Sequence, residues 1–243
     1  MFKILQGVTF YSDYSIKLKM KEIYKHILER QNLIWKQEEG RKKRYDILVS
    51  YLENNISKSG IEYAKIFVDQ NNIYTDNAIE KSRICSTVKQ NENIKALLFI
   101  DDFIGSGDSI SSNLKTFVND YQEIKELDIK IYIGIITGFL NAKDKIEEVI
   151  KDIGINASVY ICNPLNEQNK CFDDKSTIFS NQNDRMLAKD ICYEQGVKLV
   201  KDNPFGYGDC QATVVFPNTC PNDCLPILWA SINGWVSIFP RKV

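Results

Sequence analysis

The sequence contains a single histidine, His26, among its 243 residues. His26 lies in a charged, helix-like segment, which argues against a Ser-His-Asp hydrolase, a histidine-rich metal site and acid–base catalysis by histidine. No apolar run approaches the ~18 residues of a membrane span, and the beginning of the sequence lacks the apolar length of a signal peptide. These absences predict a cytoplasmic protein.

The sequence also lacks a large net charge and a pattern of paired cysteines. The formal net charge of −1 gives no electrostatic argument for nucleic-acid binding. The seven cysteines are odd in number, which argues against a disulfide framework. Only Cys220 and Cys224 are closely spaced, and without a second pair or a nearby histidine we expect structural thiols rather than zinc ligands. We therefore predict no metal site made by the protein alone.

Strand-forming segments alternate with helical patterns along most of the chain. Strands are predicted at 45–52, 97–100, 129–136, 157–161 and 211–216, and helices at 14–37, 61–70, 110–118, 143–152 and 181–200. Such alternation favours an α/β fold with a doubly wound, mainly parallel sheet. We expect residues 1–44 to form an N-terminal helical extension. Residues 45–243 would form one domain that ends in a proline- and tryptophan-rich cap.

The most informative stretch runs from Leu97 to Ser109. The apolar run Leu97–Ile100 predicts one buried strand, and the carboxylates of Asp101 and Asp102 are expected to end it. The loop Gly105-Ser106-Gly107 follows, and Asp108 and Ser109 come just before a helical pattern. The apolar positions of that helix fall on one face: Ile110, Leu114, Phe117 and Val118.

These residue types suit a phosphorylated sugar. Glycines let the backbone approach a ligand, and free N–H groups of a loop and a helix start attract anions. Ser106 and Ser109 can donate hydroxyl hydrogen bonds to phosphate, while Asp101 and Asp102 can accept from sugar hydroxyls or hold hydrated Mg²⁺. The alternative is structural: the carboxylates only end a strand and the glycines only turn the chain. The full order of strand, acidic pair, loop and helix favours the ligand site.

Residues 97–109 resemble the phosphoribosyl diphosphate (PRPP) signature of type I phosphoribosyltransferases. That signature is an apolar strand, two acidic residues, two apolar residues, a variable residue, Thr/Ser-Gly, another variable residue and Thr/Ser. The resemblance implies that Asp101 and Asp102 are the catalytic pair that holds the ribose hydroxyls of PRPP. It also implies that Gly105, Ser106, Gly107, Asp108 and Ser109 hold the 5′-phosphate, with Mg²⁺ bound alongside PRPP.

The C-terminal residues resemble a more specific family. The stretch 221–229 with Trp235 and Phe239-Pro240-Arg241 is similar to the ending of the PRTase-CE family. These are phosphoribosyltransferase-like proteins of bacterial conflict and antiviral operons. The resemblance implies a phosphoribosyltransferase-like fold, PRPP or a nucleotide as ligand, and protein partners from a defence operon.

A second loop precedes the helix at 61–70. In the resembled family, a loop at this place in the chain order cradles pyrophosphate, which makes Ser57, Lys58, Ser59 and Gly60 candidates for that role. The alternative is an ordinary helix cap supplied by Ser59.

Two functions therefore stay open. The first is transfer of ribose 5-phosphate from PRPP to a nitrogen base with release of pyrophosphate. The second is a module that senses PRPP or a nucleotide in a defence complex without turnover. Gly105 favours the second, because purine-salvage members often carry an acid there. So does Asp108, whose charge would oppose a phosphate unless it is turned outward.

Overall fold

The computed structural model of the protein describes residues 1–31, 44–53 and 58–241, without the side chains of residues 28–31, 58 and 59. The chain forms two compact units, one of Met1–Ser15 with Leu165–Val243 and one of Ile16–Pro164. These units divide the chain differently from the boundary expected between residues 44 and 45. The acidic pair and both candidate ligand loops belong to the unit of residues 16–164.

The described helices and strands alternate along the chain. The helices are α1 (Phe2–Gln6), α2 (Asp13–Gln31), α3 (Lys58–Gln70), α4 (Ile84–Gln90), α5 (Asp108–Asp120), α6 (Leu140–Ile153), α7 (Gln182–Leu199) and α8 (Pro226–Trp229). The strands are β1 (Thr9–Phe10), β2 (Ile47–Ser50), β3 (Ala96–Ile104), β4 (Lys130–Phe139), β5 (Ala157–Leu165) and β6 (Val214–Val215). Among these residues, no helix has the length and apolar character needed to cross a membrane.

A four-stranded sheet in the order β2-β3-β4-β5 forms the centre of the unit of residues 16–164. β3 pairs in parallel with β2 on one side and with β4 on the other. Residues 73–79 extend the sheet beyond β2, because Tyr74 N–H donates to the Arg44 carbonyl and Ile79 N–H donates to the Val49 carbonyl, at 2.7 and 2.9 Å. The chain therefore moves along the sheet in one direction after β2 and in the other after β3.

This reversal makes the sheet doubly wound and confirms the predicted fold class. Parallel crossovers are right-handed, so the helix after β2 and the helices after β3 and β4 lie on opposite faces of the sheet. Phe117 of α5 packs edge-on against Phe99 of β3 at 5.2 Å. On the other face, Phe67 of α3 packs against Tyr24 of α2. Ligands of such sheets bind beyond the carboxyl ends of the strands, where the winding reverses.

The helices α5 and α6, which follow the central strands β3 and β4, each bury one apolar face. The predicted face of α5 is buried, at Ile110, Leu114, Phe117 and Val118. On α6 the buried side chains are Ala142, Ile146, Val149 and Ile150, at helical spacing. Both helices contact one another along the sheet. Their packing fixes where α5 begins, which is also where the glycine-rich loop ends.

The carboxylates of Asp101 and Asp102 do not end β3, as the sequence had indicated. The strand continues to Ile104, and its backbone pairs with β4 as far as Gly138. Ile104 approaches β4 closely, since a Cβ on Gly138 would lie 2.2 Å from Ile104 Cγ1. The acidic pair is therefore held in regular strand geometry with hydrogen-bonded backbone after it.

The other unit contains the N-terminal residues and the expected C-terminal cap. β1 and β6 form a two-stranded parallel sheet, shorter than the strand predicted at 211–216. Cys220 and Cys224 are buried thiols whose Sγ atoms both donate to the Val214 carbonyl, at 3.6 and 3.1 Å. These contacts are those of structural thiols, and the absence of zinc there stays a prediction.

Candidate functional site

The candidate site lies at the carboxyl ends of β2 and β3, where the winding of the sheet reverses. The strand β3 contributes Asp101 and Asp102, both partly buried, and the segment after β2 contributes Glu53. The helices α3 and α5 begin beside these strand ends and run along opposite faces. The structure thus brings the acidic pair, the loop of residues 105–107 and the start of α3 to one edge of the sheet.

The surroundings of Asp101 and Asp102 disfavour the ionised forms of both carboxyls. The Asp102 N–H donates to Asp101 Oδ1 at 2.8 Å. Burial, together with the negative charges of Asp102 and Glu53, holds the pKa of Asp101 well above its usual range. Burial also raises the pKa of Asp102, although hydrogen bonds that include one from Tyr63 partly offset this. Bound hydroxyl donors or a cation would stabilise the ionised pair.

Tyr63 of α3 is a site residue that sequence reasoning missed. Its side chain is buried next to the Asp102 carboxylate. Burial and the nearby Asp102 charge raise the pKa of Tyr63, so the hydroxyl keeps its proton and can donate it to Asp102. Alternation along β3 places Asp102 on the same face as Leu98 and Ile100, which is the face covered by α2 and α3. No pattern around Tyr63 in the sequence marks this contact.

The loop of residues 105–107 makes a tight turn into α5. Gly107 has φ +79° and stands at the N-cap position of the helix. A Cβ there would lie 2.9 Å from the Ala142 carbonyl oxygen of α6, so only glycine fits without displacement. Ser106 Oγ accepts from the Asp108 N–H at 3.3 Å, while Ser109 is exposed. The turn leaves first-turn N–H groups of α5 available to an anion.

Asp108 is paired with a cation that sequence reasoning also missed. Lys145 Nζ of α6 lies 2.5 Å from Asp108 Oδ1. Hydrogen bonds from Lys145 and Ser106 lower the pKa of Asp108. The expected opposition between Asp108 and a bound phosphate is therefore balanced by a positive charge. Lys145 is 37 residues away in the chain, so only the packing of α5 on α6 brings the two together.

The second candidate loop differs from its predicted form. The helix α3 begins at Lys58, so Lys58, Ser59 and Gly60 form its first turn and Ser59 is not a cap. Gly60 is buried, and a Cβ on it would lie 2.9 Å from the Tyr51 side chain. Ser57 lies outside the described residues, as do the side chains of Lys58 and Ser59. The pyrophosphate role of all four residues stays a prediction.

The acidic pair fits the Mg²⁺ that accompanies a phosphorylated ligand. Mg²⁺ keeps several waters and uses one or two carboxylates together with substrate phosphates. Asp101 and Asp102 offer two carboxylates whose ionised forms are disfavoured mainly by burial, and a bound cation would stabilise those ionised forms. Within the described ranges, no three Asp, Glu, His or Cys side chains converge on one point as a metal-binding group. Two carboxylates suit an ion that takes its remaining ligands from a substrate phosphate and water.

The raised pKa of Asp101 predicts how stability depends on pH. A carboxyl with a raised folded-state pKa binds more protons in the native than in the unfolded protein. Between the ordinary value near 3.9 and the folded value, this group therefore makes the free energy of unfolding fall as pH rises. Asparagine does not titrate, so we expect Asp101→Asn to remove this decrease in the free energy of unfolding with pH. The melting temperature of Asp101→Asn should therefore exceed that of wild type by more at neutral than at acidic pH. The same difference in melting temperature at both pH values would contradict this prediction.

A cavity separate from the candidate site lies within the unit of residues 1–15 and 165–243. It encloses about 430 Å³ and is lined mostly by polar side chains, among them Lys3, Gln6 and Thr213. None of the residues predicted for ligand binding lines it.

Comparison with known proteins adds one finding. The family model PRTase-CE matches residues 1–241, so the match includes the N-terminal helical segment as well as the PRPP-like motif. No curated protein and no solved structure matches the chain.

Proposed function

The chain belongs to the PRTase-CE family, and we propose that it binds PRPP with Mg²⁺ and transfers ribose 5-phosphate to a nitrogen base, releasing pyrophosphate. The family makes it a phosphoribosyltransferase-like protein. The observation that supports the finer proposal best is the meeting of three features at one reversal of the sheet. These are the acidic pair on β3, the positive-φ turn into α5 and the start of α3.

Each feature suits one part of PRPP. The carboxylates of Asp101 and Asp102 can accept hydrogen bonds from the ribose 2′- and 3′-hydroxyls. The loop of residues 105–109 can hold the 5′-phosphate through backbone N–H groups and serine hydroxyls. The start of α3 faces the same edge of the sheet and is the candidate for the pyrophosphate. A sugar with phosphate groups at both ends would span these positions.

The chemistry is a displacement at C1 of the ribose. The bond from C1 to the pyrophosphate oxygen breaks, a bond from C1 to a base nitrogen forms, and the pyrophosphate takes the bonding electron pair. A proton on that nitrogen, where the base carries one, passes to the pyrophosphate or to water. Charge on the ribose ring becomes positive in the transition state, which the negative acidic pair would stabilise. Bound Mg²⁺ would supply charge neutralisation on the pyrophosphate. Tyr63 would hold the Asp102 carboxylate in place while the ligand binds.

A sensing module without turnover is the second candidate. Gly105 favours it, since no acidic side chain stands there to take a proton from the incoming base. Release of pyrophosphate, measured over a panel of purine, pyrimidine and pyridine bases with PRPP and Mg²⁺, separates the two functions. Binding with base-dependent release supports the transferase, and binding without release supports the sensing module. No binding of PRPP would contradict the transferase, and no binding of either PRPP or nucleotides would contradict both functions.

The defence setting is part of the proposal and has its own test. The operon that encodes the chain should protect a bacterial host from phage, and the protection should require Asp101 and Asp102. The measurement is the efficiency of phage plating on cells with the wild-type operon and with Asp101→Asn/Asp102→Asn. Equal plating on both strains would separate the acidic pair from any defence role.

A further inference from the structure

The ion pair between α5 and α6 stands beside the candidate phosphate loop. Lys145 Nζ contacts Asp108 Oδ1 at 2.5 Å, and Asp108 is the first residue of α5. Both side chains are about half exposed, at 46% and 45%. The pair is therefore open to a ligand, and the long lysine side chain keeps freedom to adjust.

The helix α6 borders the loop at two positions on one of its faces. The Ala142 carbonyl oxygen lies under Gly107, and Lys145, three residues later, reaches Asp108. Residues three apart on a helix lie on the same side, one turn above the other. A phosphate on the N–H groups at the start of α5 would thus meet α6 through the Lys145 ammonium.

We propose that Lys145 binds the 5′-phosphate of the ligand and that Asp108 positions its ammonium at the loop. This inference rests on the proposed function, because it takes residues 105–109 as the phosphate site. An ammonium group has three N–H donors, and the contact with Asp108 uses one of them. The remaining donors can serve a phosphate while the ion pair persists. A phosphate with close to two negative charges attracts the ammonium more strongly than one carboxylate does.

The arrangement also explains an acidic residue in an anion-binding loop. Alone, Asp108 would repel the phosphate, whereas together with Lys145 it contributes no net charge. Ser106 Oγ accepts from the Asp108 N–H at the start of α5, and Lys145 of α6 contacts the Asp108 carboxylate. Asp108 is then a positioning residue, and Lys145 is the residue that touches the ligand.

The test is a double-mutant cycle on the full chain, with Lys145→Gln, Asp108→Asn and the double variant. Affinity is measured by calorimetry at low salt for ribose 5-phosphate and for PRPP, each with Mg²⁺. We expect Lys145→Gln to weaken both ligands by about tenfold, because it removes the cation and leaves Asp108 unpaired. Asp108→Asn should tighten binding a few-fold, because losing its negative charge outweighs losing its contact with the ammonium, and both effects should shrink at high salt. In the Asp108→Asn background, Lys145→Gln should still weaken binding about fivefold or more.

Two controls make the result specific. Lys143→Gln removes the same charge from the same helix, where Lys143 pairs with Glu147 at 3.5 Å, and it should leave affinity unchanged. Pyrophosphate with Mg²⁺ lacks a 5′-phosphate, so its affinity should not respond to Lys145→Gln.

Two results would overturn the inference alone. One is equal affinity of wild type and Lys145→Gln for ribose 5-phosphate. The other is equal affinity of Asp108→Asn and the double variant, which would leave Lys145 only the task of neutralising Asp108. Wild-type protein that binds neither sugar phosphate would overturn the proposed function together with the inference.

Discussion

Replacing Asp101 and Asp102 together by asparagine is expected to lower the affinity for PRPP with Mg²⁺ by about 100-fold or more. A hydrogen bond to a charged group contributes about 1.5–3 kcal/mol, and the double variant weakens at least two of them. Since each 1.4 kcal/mol corresponds to roughly tenfold in affinity, a loss of about 3 kcal/mol gives the stated factor. Calorimetric titration of both proteins with PRPP measures it.

The same variant should not unfold the protein. Burial raises the pKa of both carboxyls, and the Asp102 charge raises that of Asp101 further, so the charged pair costs stability in the absence of ligand. We expect an unchanged or higher melting temperature without PRPP. The matched control is Asp152→Asn, which removes one exposed carboxylate near the far end of α6 and should bind PRPP like wild type. Affinity in Asp101→Asn/Asp102→Asn within about twofold of wild type would contradict the assigned role, because two charged hydrogen bonds predict far more.

Gly107→Ala is expected to destabilise the protein by about 2–5 kcal/mol. A left-handed backbone costs an alanine roughly 1–2 kcal/mol, and forcing a methyl group into a packed contact costs about 1–3 kcal/mol more. Both apply, since Gly107 has φ +79° and its Cβ would stand 2.9 Å from the Ala142 oxygen. The shift of α5 away from α6 should also weaken PRPP binding by about tenfold or more, because the phosphate N–H groups move with the helix.

Gly154→Ala is the matched control for this prediction. Gly154 has φ +68° and follows α6, but a Cβ there meets nothing within 4 Å. It should show only the backbone cost of about 1–2 kcal/mol and bind PRPP like wild type. Melting temperatures and PRPP titrations of the two variants make the comparison. Equal losses of stability and of PRPP affinity in the two variants would mean that the contact with Ala142 adds no measurable cost.

The sequence predicted the parts of the site that one continuous stretch contains. Buried apolar runs flanked by turn residues predicted the central strands, and the order of residues 97–109 predicted the acidic pair, the loop and the start of α5. It ended β3 too early because Asp101 and Asp102 are polar. The extension to Ile104 is stabilised by backbone hydrogen bonds with β4, which side-chain polarity does not report.

The features that the sequence missed depend on distant contacts. The segment 73–79 joins β2 through only a few backbone hydrogen bonds, so no strand pattern marks where the winding reverses. Tyr63 reaches Asp102 from another helix, and Lys145 reaches Asp108 across the contact of α5 with α6. Nothing in the residues next to Tyr63 or Lys145 distinguishes them from other surface or core positions.

A crystal structure of the protein grown with PRPP and Mg²⁺ would show where the ligand binds. We expect ribose hydroxyls within hydrogen-bond distance of the Asp101 and Asp102 carboxylates, and the 5′-phosphate on the N–H groups of residues 105–109. A sugar phosphate bound elsewhere at saturating concentration, with both carboxylates free of it, would contradict the role proposed for the acidic pair.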